Sequence, residues 1–356
     1  MTLHRLRNLK LLTSALLWIA CAAAFAQVPQ ANRAAACASC HAAQSSTQPR
    51  TPMGRALLLP DANVALKAHP KLTFHKGTYS YTVETQNEKI TYSVTDGTHT
   101  ISLPILWSFG EGAQTWILER DGKRYESLVS YYPQIGALDI TTGDEGVVPH
   151  TIDEAMGRPL TDTDTQACFG CHTSNSSPHG KLNLTGLEPG LTCEHCHEGA
   201  SAHLVDAIQG QFDTAPKKLK QLSSEDLSNF CGQCHRSWEL VVRSHWRGVV
   251  SVRFQPYRLA NSKCFNGVDP RISCIACHDP HQDVVRETAA YDSKCLACHA
   301  SSTRAASLPP ADAKACPVAK SDCASCHMPK VTLPDGHMVF ADHEIRVVKP
   351  GDAYPN

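Results

Sequence analysis

Residues 37–41 read Cys-Ala-Ser-Cys-His. The same pattern returns as CFGCH at 168–172, CEHCH at 193–197, CGQCH at 231–235, CIACH at 274–278, CLACH at 295–299 and CASCH at 323–327. The seven copies use fourteen of the 17 cysteines. Each copy carries the chemistry of a c-type haem site. The thiol pairs Cys37 and Cys40, Cys168 and Cys171, Cys193 and Cys196, Cys231 and Cys234, Cys274 and Cys277, Cys295 and Cys298, and Cys323 and Cys326 are expected to join haem vinyl groups as thioethers. His41, His172, His197, His235, His278, His299 and His327 are then the expected proximal ligands to iron. Paired zinc knuckles do not need a histidine behind the second cysteine. A thioredoxin-like dithiol occurs once, beside a βαβ pattern. The expected cofactor is therefore haem c, seven times, held covalently.

Working outward, the N-terminus opens with His4, Arg5, Arg7 and Lys10, followed by an almost wholly apolar run from Leu11 to Ala24. Ala24-Phe25-Ala26 is a small-residue cleavage signal. The pattern predicts a secretory signal peptide over 1–26, too short for a membrane span, and a periplasmic or extracellular protein. A lipid anchor at Cys21 is the lesser reading, because Trp18 and Ile19 make a poor lipobox. Export fits haem attachment of this kind, which occurs outside the cytoplasm. No later stretch is apolar enough to span a bilayer, and a net charge of -1 gives no electrostatic case for nucleic acid or an anionic membrane surface.

The motifs are unevenly spread. The last six lie between Cys168 and His327, roughly 27 residues apiece, too few for each to have a core of its own. Porphyrin is expected to supply most of the apolar interior there, with short helices and irregular loops around it. That half is expected to be unfolded without haem. Between the first two motifs the text differs. Tyr79, Tyr81 and Val83 alternate with polar residues, as do Ile90, Tyr92 and Val94, and Asp96-Gly97 and Asp121-Gly122 are turn signals. These predict a small antiparallel β insertion over 72–150 with no cysteine. The expected organisation is a haem 1 segment over 27–71, the β-rich insertion, and a hexahaem region over 151–356. Helices are expected within 201–230 and 283–294, the former with Ser223 or Ser224 as a cap. The tail after Pro329 is expected as an irregular wrap.

Histidine number bears on the second axial position. Of 19 histidines, seven are proximal. His203, His281, His343, His179, His245, His337, His75 and His150 are the candidate distal ligands. Mature methionines are few, so mostly bis-histidine, low-potential ligation is expected. His281 follows His278 too closely to swing round the same porphyrin, so it is expected to serve a neighbouring haem, and the same argument applies to His203 after His197. His195 is expected to face solvent and His99 to be structural. Cys264 and Cys316 remain, and in an oxidising compartment a disulfide between them is the default.

TCEHCHEGASAH at 192–203, QPYRLANSKCF at 255–265, SCIACHDPH at 273–281, CASCHMPK at 323–330 and FADHEIRV at 340–347 carry a family resemblance. The chain resembles multihaem cytochromes c of the group that includes hydroxylamine oxidoreductase-like and pentahaem nitrite reductase-like proteins. The resemblance covers most of 168–347, and 37–150 more loosely. It implies His203, His281 and His343 as distal ligands. The Cys-x-x-Cys-Lys site of the nitrite reductases is absent, as is an eighth motif.

The expected function is electron transfer along closely packed haems, with protein redox partners as donor and acceptor and no residue doing acid–base work. One alternative is a multihaem oxidoreductase with an open iron acting on a small nitrogen or sulfur compound, with Arg253, Tyr257 and Arg258 as local donors. Another is a haem subunit of a larger electron-conducting complex or filament.

Overall fold

A computed structural model of the chain describes residues 35–87, 89–177, 180–299, 316–349 and 351–355. Residues 1–34, which include the expected signal peptide and the alternative anchor at Cys21, and the candidate ligand His179 lie outside the described residues. Among the described residues no helix is long and apolar enough to cross a membrane.

The alternating stretches form strands, as their period of two requires. In chain order the strands are β1 (Leu57–Leu58), β2 (Lys71–Lys76), β3 (Tyr79–Gln86), β4 (Lys89–Thr95), β5 (Thr100–Pro104), β6 (Trp107–Phe109), β7 (Thr115–Arg120), β8 (Lys123–Ser127), β9 (Val129–Tyr132), β10 (Ala137–Ile140) and β11 (Gly157–Pro159). One sheet runs β2-β3-β4-β5 and a second runs β1-β6-β7-β8-β11, both antiparallel, with β9 and β10 pairing as a hairpin. Tyr81 opposes Val94 and Val83 opposes Tyr92, so both alternating sets point to one face. That face is the core: Tyr81, Val83, Tyr92, Val94, Trp116, Leu118 and Val129 are all buried there.

Arg120 opposes Lys123 across a two-residue loop. Asp121 and Gly122 both take positive φ, 52° and 71°, the type I′ geometry that a right-twisted hairpin selects. The strands β1 and β11, which are two and three residues long, reach past both ends of the alternating region to join the second sheet.

Asn63 ties the helix Val64–Ala68 to this core. Its Oδ1 accepts from Leu66 N at 3.0 Å, and its Nδ2 donates to Ser108 Oγ and Gln114 Oε1, each at 3.0 Å.

Beyond Pro159 the chain becomes short helices joined by loops: Asp162–His172, Cys193–Cys196, Ala200–Ile208, Ser224–His235, Trp238–Arg243, Gln255–Ala260, Cys274–Cys277, Asp292–His299 and Cys323–His327. Ser223, not Ser224, caps its helix, accepting from Asp226 N at 3.0 Å. The apolar core is thin here; one cluster holds Val241, Phe254 and Tyr257.

The tail departs from the expected irregular wrap. Lys330–Thr332 and Val339–Ala341 pair as an antiparallel ribbon. The reversal between them lets Asp335 and His337 take positive φ, and the ribbon gives the tail backbone hydrogen-bond partners that an unpaired loop would lack.

Contacts at both ends join the sheets to the helical half. Phe169 sits edge-on to Trp107 and Phe109, with ring centroids 5.2 and 5.0 Å away. At the other end the tail returns to β10, where His337 Nε2 meets Asp139 Oδ2 at 2.7 Å.

Candidate haem-binding site

Six of the seven histidine-tailed motifs lie on short helices, and the first begins within a helical turn over 35–38. A helix places residues three apart on one face, so each motif presents both thiols together with its histidine at the exit. The helix Asp162–His172 opens on a capping box between Thr161 and Asp164, which fixes the approach of Cys168 and Cys171. The helix Cys323–His327 is capped from another motif. Both oxygens of Asp292, first residue of Asp292–His299, accept from the backbone: Oδ2 from Asp322 N at 2.6 Å and Oδ1 from Cys323 N at 2.8 Å.

The motifs are brought into one connected set. Thiols of different motifs come close to one another: Cys37 with Cys193, Cys171 with Cys234, Cys231 with Cys274, and Cys295 with Cys323. Cys277 lies within electrostatic reach of Cys295, and Cys196 of both Cys231 and Cys234. In two of these pairs one thiol is held down and the other up. Cys234 brings Cys171 down to about 7, while Cys171 and burial push Cys234 well above the usual thiol range; likewise Cys274 is lowered and Cys231 raised. Burial raises Cys168 to about 11.

The histidines carry the strongest geometry. The rings of His197 and His281 have centroids 6.0 Å apart and planes 9° from parallel. Those of His278 and His343 are 6.2 Å apart at 44°. Two metal–nitrogen bonds of about 2 Å, plus half of each ring behind its nitrogen, set two imidazoles on one metal at roughly this spacing. Each pair joins a motif histidine to one that sequence reasoning assigned as distal. The pair His197/His281 also spans two motifs, as expected for a histidine three residues behind His278.

The ring nitrogens are turned to suit. Nδ1 is hydrogen-bonded in His172 to Ala56 O at 2.8 Å, in His327 to Arg346 O at 2.8 Å, in His343 to Ala341 O at 2.9 Å and in His281 to Asp279 Oδ1 at 3.0 Å. An Nδ1 held this way orients the ring and leaves Nε2 for a metal. Burial pushes His172, His197, His235 and His278 below the ordinary imidazole range and His343 down to about 4. Neutral imidazole is the ligating form.

The other candidates fall in different places. His203 is on Ala200–Ile208, with Nδ1 buried and without a hydrogen-bond partner. His245 is exposed and takes positive φ. His75 is on β2 with Nδ1 against Ser80 Oγ at 3.1 Å, and His150 is exposed before the helix Ile152–Met156. His337 gives its Nε2 to Asp139, as described above. His195 is half-buried, not solvent-facing, and His99 lies in the turn before β5, hydrogen-bonded to Asp96.

Three further expectations are resolved. Cys264 and Cys316 are both free thiols: Cys264 is half-buried near Cys295 and Cys298, whereas Cys316 is exposed. Arg258 and Tyr257 are buried, and Arg258 is engaged in an ion pair with Asp342. Arg253 differs: its Nε is buried without a partner. Its guanidinium lies 5.4 Å from the Phe254 ring, Phe254 packs on Trp246 at 5.2 Å, and Arg236 lies 5.5 Å above Trp246.

This donor set fits haem c. Paired thiols stand beside each motif histidine, two imidazole pairs are spaced for one metal, and Arg236 and Arg253 have no ion-pair partner among the described residues, as propionate-binding groups would not. Among the described residues no three His, Cys, Asp or Glu side chains converge as ligands of a bare metal ion.

No family model matches the chain, and no curated protein matches it. Among solved structures it is similar to the crystal structure of outer cell wall cytochrome OcwA, at 14% identity and a TM-score of 0.49, over 88% of this chain and 79% of that one.

Proposed function

We propose that this chain is an exported c-type cytochrome carrying seven haems, mostly bis-histidine ligated, that transfers electrons between protein redox partners. The observation that carries the reading is the pairing of His197 with His281 and of His278 with His343 at metal-sharing distance, on motifs that already supply the thiols. Haem c, when bound, supplies the one-electron iron couple.

The chain's own residues do the rest. Thioether-forming cysteines hold each group irrespective of exposure. Asp279 and the carbonyls of Ala56, Ala341 and Arg346 fix the rings of His281, His172, His343 and His327. The fold brings the motif-bearing segments together, Cys171 near Cys234 and Cys231 near Cys274, which keeps the sites adjacent, as short-range electron transfer requires. Arg236, beside Cys171 and His172, places positive charge at the second and fourth motifs.

The test is to purify the mature protein from a host that attaches haem c. Covalent haem is counted by mass, and spin state is read by electron paramagnetic resonance before and after carbon monoxide is added to the reduced form. Seven haems, low-spin and closed to carbon monoxide, are the expected result. A mass without covalent haem would overturn the reading. A high-spin fraction near one haem in seven that binds carbon monoxide would move it to an oxidoreductase with an open iron.

A further inference from the structure

Arg258 is fully buried on the helix Gln255–Ala260, one of the largest side chains sealed inside the molecule. It holds the carboxylate of Asp342 bidentately, Nε to Oδ1 at 2.8 Å and Nη2 to Oδ2 at 2.9 Å. Nη2 also meets Glu344 Oε2 at 2.8 Å, Nη1 donates to Pro355 O at 3.3 Å, and the guanidinium lies 4.7 Å above the Tyr354 ring. Asp342 is equally buried and takes Arg346 Nη1 at 2.6 Å. Its Oδ1 further accepts from Glu344 N at 3.1 Å.

The residue between Asp342 and Glu344 is His343. Every neighbouring group is held. His343 O accepts from Ser262 Oγ at 3.0 Å, and the same Oγ accepts from Ile345 N at 2.8 Å. His343 Nδ1 donates to Ala341 O. Both Arg258 and Ser262 come from one segment, 255–262, so a single stretch of chain grips the backbone on both sides of His343.

A buried ion pair is a poor way to stabilise a fold. Two apolar side chains of the same volume usually do as well or better, because the pair must first shed its water. Its value is directional: a bidentate guanidinium–carboxylate pair sets both distance and orientation. An axial ligand needs that, since a site holds its geometry only when supporting groups keep it within about 0.5 Å.

We infer that Arg258, acting through Asp342 with Ser262 as the second anchor, is a positioning residue that aims His343 at the metal shared with His278. The inference rests on the proposed axial role of His343, and the experiment separates the two. In the haem-loaded full chain, His343→Ala is expected to turn one haem of the seven high-spin and open it to carbon monoxide. Arg258→Met is expected to do the same, and Arg258→Met combined with His343→Ala to add nothing further. Arg258→Met combined with Asp342→Leu removes the stranded carboxylate and keeps the interior apolar, so it reads geometry where the single variant fails to fold. Asp342→Asn, which keeps shape but not charge, is expected to shift the same low-spin signal. Arginine and Asp342 variants that keep every haem low-spin while His343→Ala loses one would overturn the positioning role. An all low-spin His343→Ala protein would overturn the axial assignment, and the positioning role with it.

Discussion

His197 closes one motif and His281 follows another, yet their imidazole planes lie within 9° of parallel with centroids 6.0 Å apart. That distance is longer than direct ring stacking and matches the spacing of two imidazoles on one metal, the role proposed for the pair. Burial first, and then His281 and His41, push His197 below the ordinary imidazole range, toward the ligating form. Replacing His281 with methionine is expected to raise the potential of one haem and leave the other six in place, because methionine–histidine ligation favours the ferrous form. A potentiometric titration superimposable on that of the parent protein would remove His281 from the ligand set.

Arg236 stands beside Cys171 and His172, and its ring partner is Trp246, not a carboxylate. A positive charge there disfavours ferric iron. Arg236→Met is expected to lower the potential of one or two haems by something on the order of 50 mV, about 1 kcal/mol for a one-electron couple. Methionine keeps the apolar contact with the tryptophan, so an unchanged potential would mean that this charge is neutralised by another group.

Asn63 is buried, and its side chain makes three hydrogen bonds, one of them capping the helix Val64–Ala68. Asn63→Ala loses the cap and strands Ser108 and Gln114, a cost of about 3 kcal/mol. Thermal melting of the sheet region is expected to shift accordingly, while covalent haem content stays the same.

Gly190 takes φ of +71°, and a Cβ there would meet Gly54 O at 1.9 Å. This is where the first-motif segment docks on the approach to the third, through Leu191 N to Met53 O at 3.0 Å and Gln48 Nε2 to Leu191 O at 2.6 Å. Gly190→Ala is expected to destabilise that junction by about 3 kcal/mol, combining overpacking with left-handed backbone strain. Limited proteolysis should then cut between residues 42 and 57 before it cuts the sheets. Equal protection of this segment in both proteins would refute the docking role.

The two halves should respond differently to loss of cofactor. The sheets have a packed core of their own around Tyr92 and Trp116, whereas the motif-rich half has a thin cluster at Val241, Phe254 and Tyr257. Chain produced without haem attachment is expected to keep slow amide exchange in β3, β4 and β7 and to lose it across 193–343. Uniform protection, or uniform loss, would contradict this division.

Much of this was legible in the residues. The alternation at 79–83 and 90–94 became paired strands facing one core, and Asp121-Gly122 became the turn it signalled. The placing of His281 with a neighbouring motif's histidine followed from its closeness to His278. The strands β1 and β11 were not legible, because two or three residues are too few to show a period, and partners across the sheet decide them. The tail ribbon was missed for the same reason. Nothing local separates His343 from His337: one faces His278, and the other gives its Nε2 to Asp139.

The chemistry proposed here is written locally, in seven Cys-x-x-Cys-His motifs, each complete within five residues, because the thiols and histidine of one site are neighbours in the chain. The sequence by itself also determined where strands would form, since a period of two is written locally. The tertiary structure alone decided which histidine stands opposite which, that Arg258 is spent on Asp342 and not on a ligand, and that Cys264 and Cys316 stay apart. Those relationships join residues far apart in the chain, and only the packing of the whole sets their distances.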